Sequence, residues 1–196
     1  SLELVESTPV LSASITIETI NDNLDEEDKF FLVEISSLEN VDSELTELGL
    51  TILDDDNAPI LSSVANNVLE GDDVAVEFSL SSASEKAITF DVLSSSSDAT
   101  AGSDYVSLSQ NVTINAGETS KTLSLTTIDD STDEADEAIN VSISNLVNAS
   151  TSSESFNFSI IDNDDAPTIS FVGTSVGEGA GTATISFAIS AVSEKV

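Results

Sequence analysis

The chain has 196 residues, and its 37 Asp and Glu against 4 Lys and Arg give a formal net charge of −33. Nucleic acids and anionic membranes repel such a surface, so we expect cations as its partners. The absence of Cys and His excludes disulfides, Ser-His-Asp triads, Cys nucleophiles and soft-ligand zinc or copper sites. Only oxygen ligands remain, and these suit hard cations.

Hydrophobic residues make up 39% of the chain, too many for a disordered acidic tail, and we therefore expect a folded protein. No apolar run approaches the roughly 18 residues of a transmembrane helix, so we expect no membrane insertion. Recurring patterns divide the chain into three segments.

Residues 1–57 have the pattern of the C-terminal half of a repeat. Hydrophobic and polar residues alternate in three stretches, 12–20, 31–35 and 48–52. Alternation with a period of two is typical of half-buried strands in an antiparallel sheet. An acidic loop separates the first two predicted strands.

Residues 58–165 have the pattern of one complete repeat. Pro59 opens a predicted edge segment, and clean alternation follows in several short stretches, with a hairpin turn predicted at 115–118. No helical period occurs. About seven short strands separated by turns predict a β-sandwich, and about 108 residues suffice to bury its core.

Residues 166–196 predict the N-terminal part of a third repeat. Glu178-Gly179 repeats Glu70-Gly71 at a spacing of 108, and Ser193-Glu194-Lys195 repeats Ser84-Glu85-Lys86 at 109. The difference implies one inserted residue. We therefore expect the chain to be a piece of a longer array.

Acidic clusters recur with the same period. The loop 127–137 repeats the loop 19–29, and the run DNDDAP at 162–167 repeats DDDNAP at 54–59, both at a spacing of 108. A fixed period of this length is typical of tandem domains. Because the clusters recur with the repeat, we expect the function to lie in them.

The acidic residues are compatible with several other interpretations. Acidic residues often form only a solvated face or a salt adaptation, and a carboxylate pair for glycoside hydrolysis is compatible with the residue types. However, Trp is absent and Tyr occurs once, which leaves little for a sugar platform. The loops lack the central Gly of an EF-hand, and the Gly-rich stretch 177–181 precedes a β-pattern rather than the helix of a phosphate loop. Catalysis is therefore not expected.

Several motifs occur in a fixed order: Glu70-Gly71, the AGSDY motif at 101–105, the AGET motif at 116–119, the acidic loop 129–137 and IIDND at 160–164. Together they resemble the Calx-beta domain family. The resemblance covers 58–165 and parts of both flanking segments. It implies an all-β fold of tandem Calx-beta-like, immunoglobulin-like antiparallel β-sandwiches.

The resemblance also implies calcium as the bound cofactor, held at one end of each sandwich. The residues that match ligand positions in the complete repeat are Glu70, Asp104, Asp129, Asp130, Glu134, Glu137, Asp162, Asn163 and Asp164. In the first segment the matching residues are Asp22, Glu26, Asp54, Asp55 and Asp56. Lys29 stands where Glu137 stands in the complete repeat, so we expect fewer ions there.

Calcium takes 6–8 oxygen ligands, more than any one of these loops supplies, so several loop ends must converge. We expect a structural module of an extracellular or cell-surface protein, an adhesin or filament stalk, in which calcium orders domain ends and stiffens the junctions between repeats. Its expected partners are calcium ions, neighbouring repeats and other copies of the chain. Two alternatives stay open: a regulatory calcium sensor, as in sodium/calcium exchangers, and an adhesive or glycan-binding module.

Overall fold

The computed structural model describes residues 14–40, 46–173 and 175–195. Within this part of the chain, no helix has the length and apolar character needed to cross a bilayer. The regular structure is almost entirely strand, apart from one 3₁₀ turn at Glu178–Ala180. The strands are β1 Lys29–Glu34, β2 Glu47–Ile52, β3 Ile60–Val64, β4 Val68–Leu69, β5 Asp73–Leu80, β6 Ile88–Ser95, β7 Ser109–Ile114, β8 Ser120–Thr126, β9 Glu137–Val147, β10 Ser150–Thr151, β11 Ser155–Ile161, β12 Ile169–Gly173 and β13 Ile185–Ile189.

The chain divides into two compact units. The smaller comprises residues up to 23 together with 28–54. In it β1 and β2 form an antiparallel pair with Phe31 opposite Leu50, as the alternating pattern predicted. The strand predicted at 12–20 is wrong for residues 14–20, which lack strand pairing. Ile15 is 72% exposed. In the described residues of this unit only β1 and β2 pair, so no second sheet covers the Ile15 side chain.

The larger unit comprises residues 24–27 and 55 onward. Its main body is the predicted β-sandwich. One sheet has four strands in the order β10-β3-β5-β8, and the other has five in the order β4-β11-β9-β6-β7. The antiparallel hairpin of β12 and β13 lies C-terminal to the sandwich in sequence, and the β-pattern at 184–189 predicted the second of these strands.

The sandwich core follows from the period-two alternation. In β5 every second residue is buried, and in β6 the residues at alternate positions from Ile88 are buried as well. Phe78 of β5 and Phe90 of β6 are 1% and 0% exposed, and their ring centroids lie 5.0 Å apart across the two sheets. The core therefore joins the sheets face to face, which is the packing expected of a sandwich.

The strand directions bring several connections to one end of the sandwich. β4 runs parallel to β11, so Leu69 and Ile161 end together. The antiparallel neighbour β9 begins at the same edge, with Glu137 opposite Ile160, and β6 ends beside it. In the other sheet β8 ends where β5 begins. The β4–β5 turn, the loop after β6, the β8–β9 loop and the segment after β11 consequently meet at this end.

Candidate metal-binding site

The turn between β4 and β5 places Glu70 at this end of the sandwich. The main-chain N–H of Glu70 donates to the carbonyl of Ile161 at 3.0 Å, and that of Asp72 donates to Leu69 at 3.2 Å. Gly71 has a φ of +84°, a conformation that other residues adopt only at a cost. The tight turn therefore holds Glu70, which is 8% exposed, beside the chain that leaves β11.

The acidic β8–β9 loop is anchored on both sides. The hydroxyl of Thr127 donates to the carbonyl of Asp72 at 2.8 Å, which attaches the loop to the β4–β5 turn. On the other side, the main-chain N–H of Ile128 donates to Asp104 at 2.9 Å. Tyr105 is 3% exposed and packs in the core, so Asp104 is fixed next to a buried anchor.

Two groups of three carboxylates form where these segments meet. The first group consists of Glu70, Asp162 and Asp164, and the second of Asp104, Glu134 and Glu137. In each group one carboxylate oxygen from every residue lies within 4.8 Å of the others. All six residues belong to the set that the resemblance predicted. Residues more than 90 positions apart in sequence, such as Glu70 and Asp162, are thus brought together by the sandwich topology.

Burial and repulsion perturb the first group. Burial raises the pKa of Glu70 to about 7, and the charges of Asp164 and Asp162 act in the same direction. Burial would also raise the pKa of Asp162, but the hydrogen bond from Lys195 and others from the main chain leave it below its usual value. The pKa shifts in the first group therefore have opposite signs: Glu70 favours its protonated form more than a free carboxyl does, and Asp162 favours its ionised form.

Asp164 supplies one buried side-chain oxygen to the first group. Its Oδ2 atom is buried and has no hydrogen-bond partner among the described residues. A buried carboxylate oxygen without a partner is costly, so this atom suits a cation. The side-chain nitrogen of Asn163 donates to Asp129 Oδ1 at 3.2 Å and to the carbonyl of Glu70 at 3.3 Å. Asn163 thereby holds Asp129 at the rim of the first group.

The second group is perturbed in the same direction. Burial raises the pKa of Glu137 to about 7, together with the charges of Asp104 and Glu134. Burial and the charge of Asp104 likewise raise the pKa of Glu134. Asp130 is exposed, and its Oδ1 accepts a hydrogen bond from the main chain of Thr132 at 2.6 Å. It belongs to neither group of three, and its charge contributes to the raised pKa of Glu134; its role as a ligand stays a prediction.

Four charged residues near the second group were not predicted. A cleft of about 300 Å³ is lined by Glu134 and Glu137 together with Asp98, Asp136, Glu194 and Lys195. The charges of Asp98 and Glu194 contribute to the raised pKa of Glu137. The recurrence of Glu85 at Glu194 and of Lys86 at Lys195 was visible in the sequence, but it carried no sign that these residues lie beside the acidic loop.

A family comparison decides what kind of module carries these groups. The profile of the Calx-beta domain matches residues 2–60 and, a second time, residues 54–164. The chain belongs to the Calx-beta domain family. Both matches together span more than half of the sequence, and the second contains every residue of the two carboxylate groups.

Solved structures include similar Calx-beta domains. The apo form of the Calx CBD1 domain has 18% sequence identity and a TM-score of 0.47, covering 55% of this chain and 100% of that one. CBD12 from CALX1.2 has 17% identity and a TM-score of 0.48, covering 54% of this chain and 45% of that one. The calcium binding domain CBD12 of CALX1.1 has 17% identity and a TM-score of 0.46, covering 51% and 42%. No curated protein sequence matches the chain.

The acids predicted in the first Calx-beta match are arranged differently. Both groups of three found among the described residues lie in the second match. Asp22 and Asp54 belong to the smaller compact unit, whereas Glu26, Asp55 and Asp56 belong to the larger one. Asp54 donates its main-chain N–H to Asp28 at 3.0 Å. Their role as ligands stays a prediction.

The residues of the second Calx-beta match fit a hard divalent cation. Their side chains offer carboxylate oxygens, the ligand atoms that calcium prefers. Among the described residues, the buried Asp164 Oδ2 has no hydrogen-bond donor. A bound cation would turn the mutual repulsion of each group into attraction. The arrangement can therefore hold a metal and couple it to the folded state.

Proposed function

We propose that the chain is a calcium-binding structural segment of a tandem-repeat extracellular or cell-surface protein, such as an adhesin or a filament stalk. In this role calcium orders the acidic end of the complete repeat and stiffens its junction with the next one. The observation that carries the proposal is the pair of three-carboxylate groups, Glu70 with Asp162 and Asp164, and Asp104 with Glu134 and Glu137.

The position of the first group supports a role at the junction. Asp162 and Asp164 belong to the segment that leaves β11 and continues through Pro167 towards β12. That segment contains no Gly, so its backbone is not unusually free. An ion held by these two side chains and Glu70 would restrain the linker at its first residues.

Calorimetric titration of the full chain with calcium tests the binding step. We expect heat of binding and a raised melting temperature, because calcium would bind only the folded form. Glu70→Gln should weaken binding at the first group, and Glu134→Gln at the second. Glu77→Gln, an exposed change on β5, is the matched control and should leave the titration unchanged. A flat trace for the unmodified chain would refute calcium binding.

Small-angle scattering with calcium and with chelator tests the stiffening step. Sodium chloride should replace calcium at equal ionic strength, so that general screening is controlled. We expect a longer and narrower distribution of intramolecular distances with calcium. If calcium binds but the distribution does not change, the stalk role fails. A calcium-dependent change to a more compact form would instead support the regulatory sensor.

A further inference from the structure

Two of the four basic residues of the chain recur at equivalent positions. All four are lysines, and Lys86 and Lys195 occupy equivalent positions in the recurring Ser-Glu-Lys segments, 109 residues apart. Each of these two lysines forms an ion pair with an Asp of an acidic loop. Those two acids, Asp25 and Asp133, are themselves 108 residues apart in the acidic loops.

At the first of these positions, three successive residues surround Asp25. Lys86 Nζ donates to Asp25 Oδ1 at 2.8 Å, and the hydroxyl of Ser84 donates to Asp25 Oδ2 at 2.6 Å. The main-chain N–H of Glu85 donates to the carbonyl of Asp25 at 2.9 Å. Asp25 is only 4% exposed, although the acidic loop that contains it is otherwise largely open to solvent.

At the second position the same contacts recur around Asp133. Lys195 Nζ donates to Asp133 Oδ1 at 2.5 Å, and the hydroxyl of Ser193 donates to Asp133 Oδ2 at 2.7 Å. The main-chain N–H of Glu194 donates to the carbonyl of Asp133 at 3.0 Å. Asp133 is 3% exposed. Lys195 also lies 2.9 Å from Asp162 Oδ2.

Because Asp25 and Asp133 are buried, each of them needs partners that replace water. A carboxylate removed from water is costly unless ionic and hydrogen-bonding partners replace the water. Each of the two aspartates obtains an ammonium, a hydroxyl and a main-chain N–H from one short segment. Neither Asp25 nor Asp133 belongs to the two carboxylate groups. Their chemistry therefore differs from that of their acidic neighbours, which lie together and repel one another.

We propose that the Ser-Glu-Lys segment of each repeat is a docking site for the buried Asp in the acidic loop of the repeat before it. The partner of this surface is a second repeat of the same kind, and the contact needs no metal. The inference goes beyond the proposed calcium function, and tests in EDTA separate the two: this contact can fail while calcium binds, and the reverse.

Amide hydrogen exchange of the full chain in EDTA tests the docking site. The amides of Glu85 and Glu194 report on the two positions, since each donates to the docked Asp. Lys86→Met should speed exchange at Glu85 at least about tenfold and leave Glu194 unchanged, because hydrogen bonds of charged groups contribute that much to local stability. Lys195→Met should give the mirror pattern. Lys121→Met, which removes an exposed charge on β8, should change neither.

Two further results decide the interpretation. In the double variant Asp25→Asn/Lys86→Met, the Glu85 amide should exchange no faster than in the faster of the two single variants. Each single change already removes the same interaction. The proposal is overturned if Lys86→Met leaves Glu85 at its original rate. It is equally overturned if Lys86→Met also accelerates the core amides of β5 and β6, since Lys86 would then support the fold of its own repeat.

Discussion

A Cβ atom added to Gly71 would lie 2.8 Å from the Cβ atom of Asp129. The backbone of the β4–β5 turn thus approaches the acidic loop more closely than any side chain at this position permits. This approach sets Glu70 against the segment that leaves β11, so the glycine serves the site as well as the turn.

Gly71→Ala is expected to destabilise the chain by about 2–3 kcal/mol, from the positive φ together with the clash. Gly117→Ala is the matched control, because Gly117 has a φ of +81° but nothing within 4 Å of its added Cβ. It should cost about 1 kcal/mol. Urea unfolding of both variants measures the difference, and equal losses would show that the contact with Asp129 is immaterial.

Asp164→Asn should have opposite effects with and without calcium. Loss of a carboxylate at Asp164 should weaken calcium binding at least about tenfold, because the number of charged ligands changes the Kd of such sites by orders of magnitude. In EDTA the same variant should be more stable by about 1 kcal/mol, since one repelling charge is removed. Asp165→Asn, which changes the net charge equally at an exposed position, should do neither. Calorimetry and thermal unfolding distinguish the two variants.

In EDTA, stability should fall as pH rises from 5 to 8. Folded Glu70 and Glu137 have a pKa of about 7, whereas the ordinary value is 4.5. In this window the folded state binds more protons than the unfolded state, so the free energy of unfolding decreases with pH. The decrease in the free energy of unfolding is complete once the pH has passed the pKa of the folded state. The lowered pKa of Asp133 acts only below about pH 4, outside this window.

Urea midpoints at several pH values test this dependence. The double variant Glu70→Gln/Glu137→Gln should flatten the curve, and Glu77→Gln should leave it intact. With saturating calcium the dependence should reverse, because calcium competes with protons for these carboxylates. A midpoint in EDTA that rises from pH 5 to 8 would contradict the raised pKa values.

Phe78→Ala should cost about 3–5 kcal/mol, since it empties the space between the two sheets beside Phe90. Phe171→Ala is the control: Phe171 pairs with Phe187 in the β12–β13 hairpin but is 73% exposed. Its loss should change the free energy of unfolding by less than about 0.5 kcal/mol. Chemical denaturation measures both, and comparable losses would place the main core elsewhere.

The sandwich and the convergence of its acids were predictable from the sequence. Alternation in β5 and β6 indicates strands directly, and the ordered motifs locate Glu70, Asp104 and Asp162 at connections between strands. The same alternation misled at Ile15 and Ile17, because a pattern records a hydrophobic face and not the sheet that must cover it.

What the sequence did not predict depends on tertiary contacts. Asp133 has the same residue type as Asp129 and Asp130 in one loop, and only its burial and its lysine distinguish it. The spacing of Lys86 and Lys195 was visible, but their partners depend on how the segments pack. The positions of Asp98 and Glu194 beside Glu137 likewise follow from tertiary structure rather than local spacing.

The repeated Asp–Ser–Lys contact set has a consequence for how such a gene changes in length. The complete repeat carries both partners, Asp133 in its acidic loop and Lys86 in its Ser-Glu-Lys segment, so it is compatible with any copy that has the same two segments. Unequal crossing-over can then add or delete whole repeats without creating a mismatched joint. Selection can thus change the number of repeats while each contact between neighbouring repeats keeps the same chemistry.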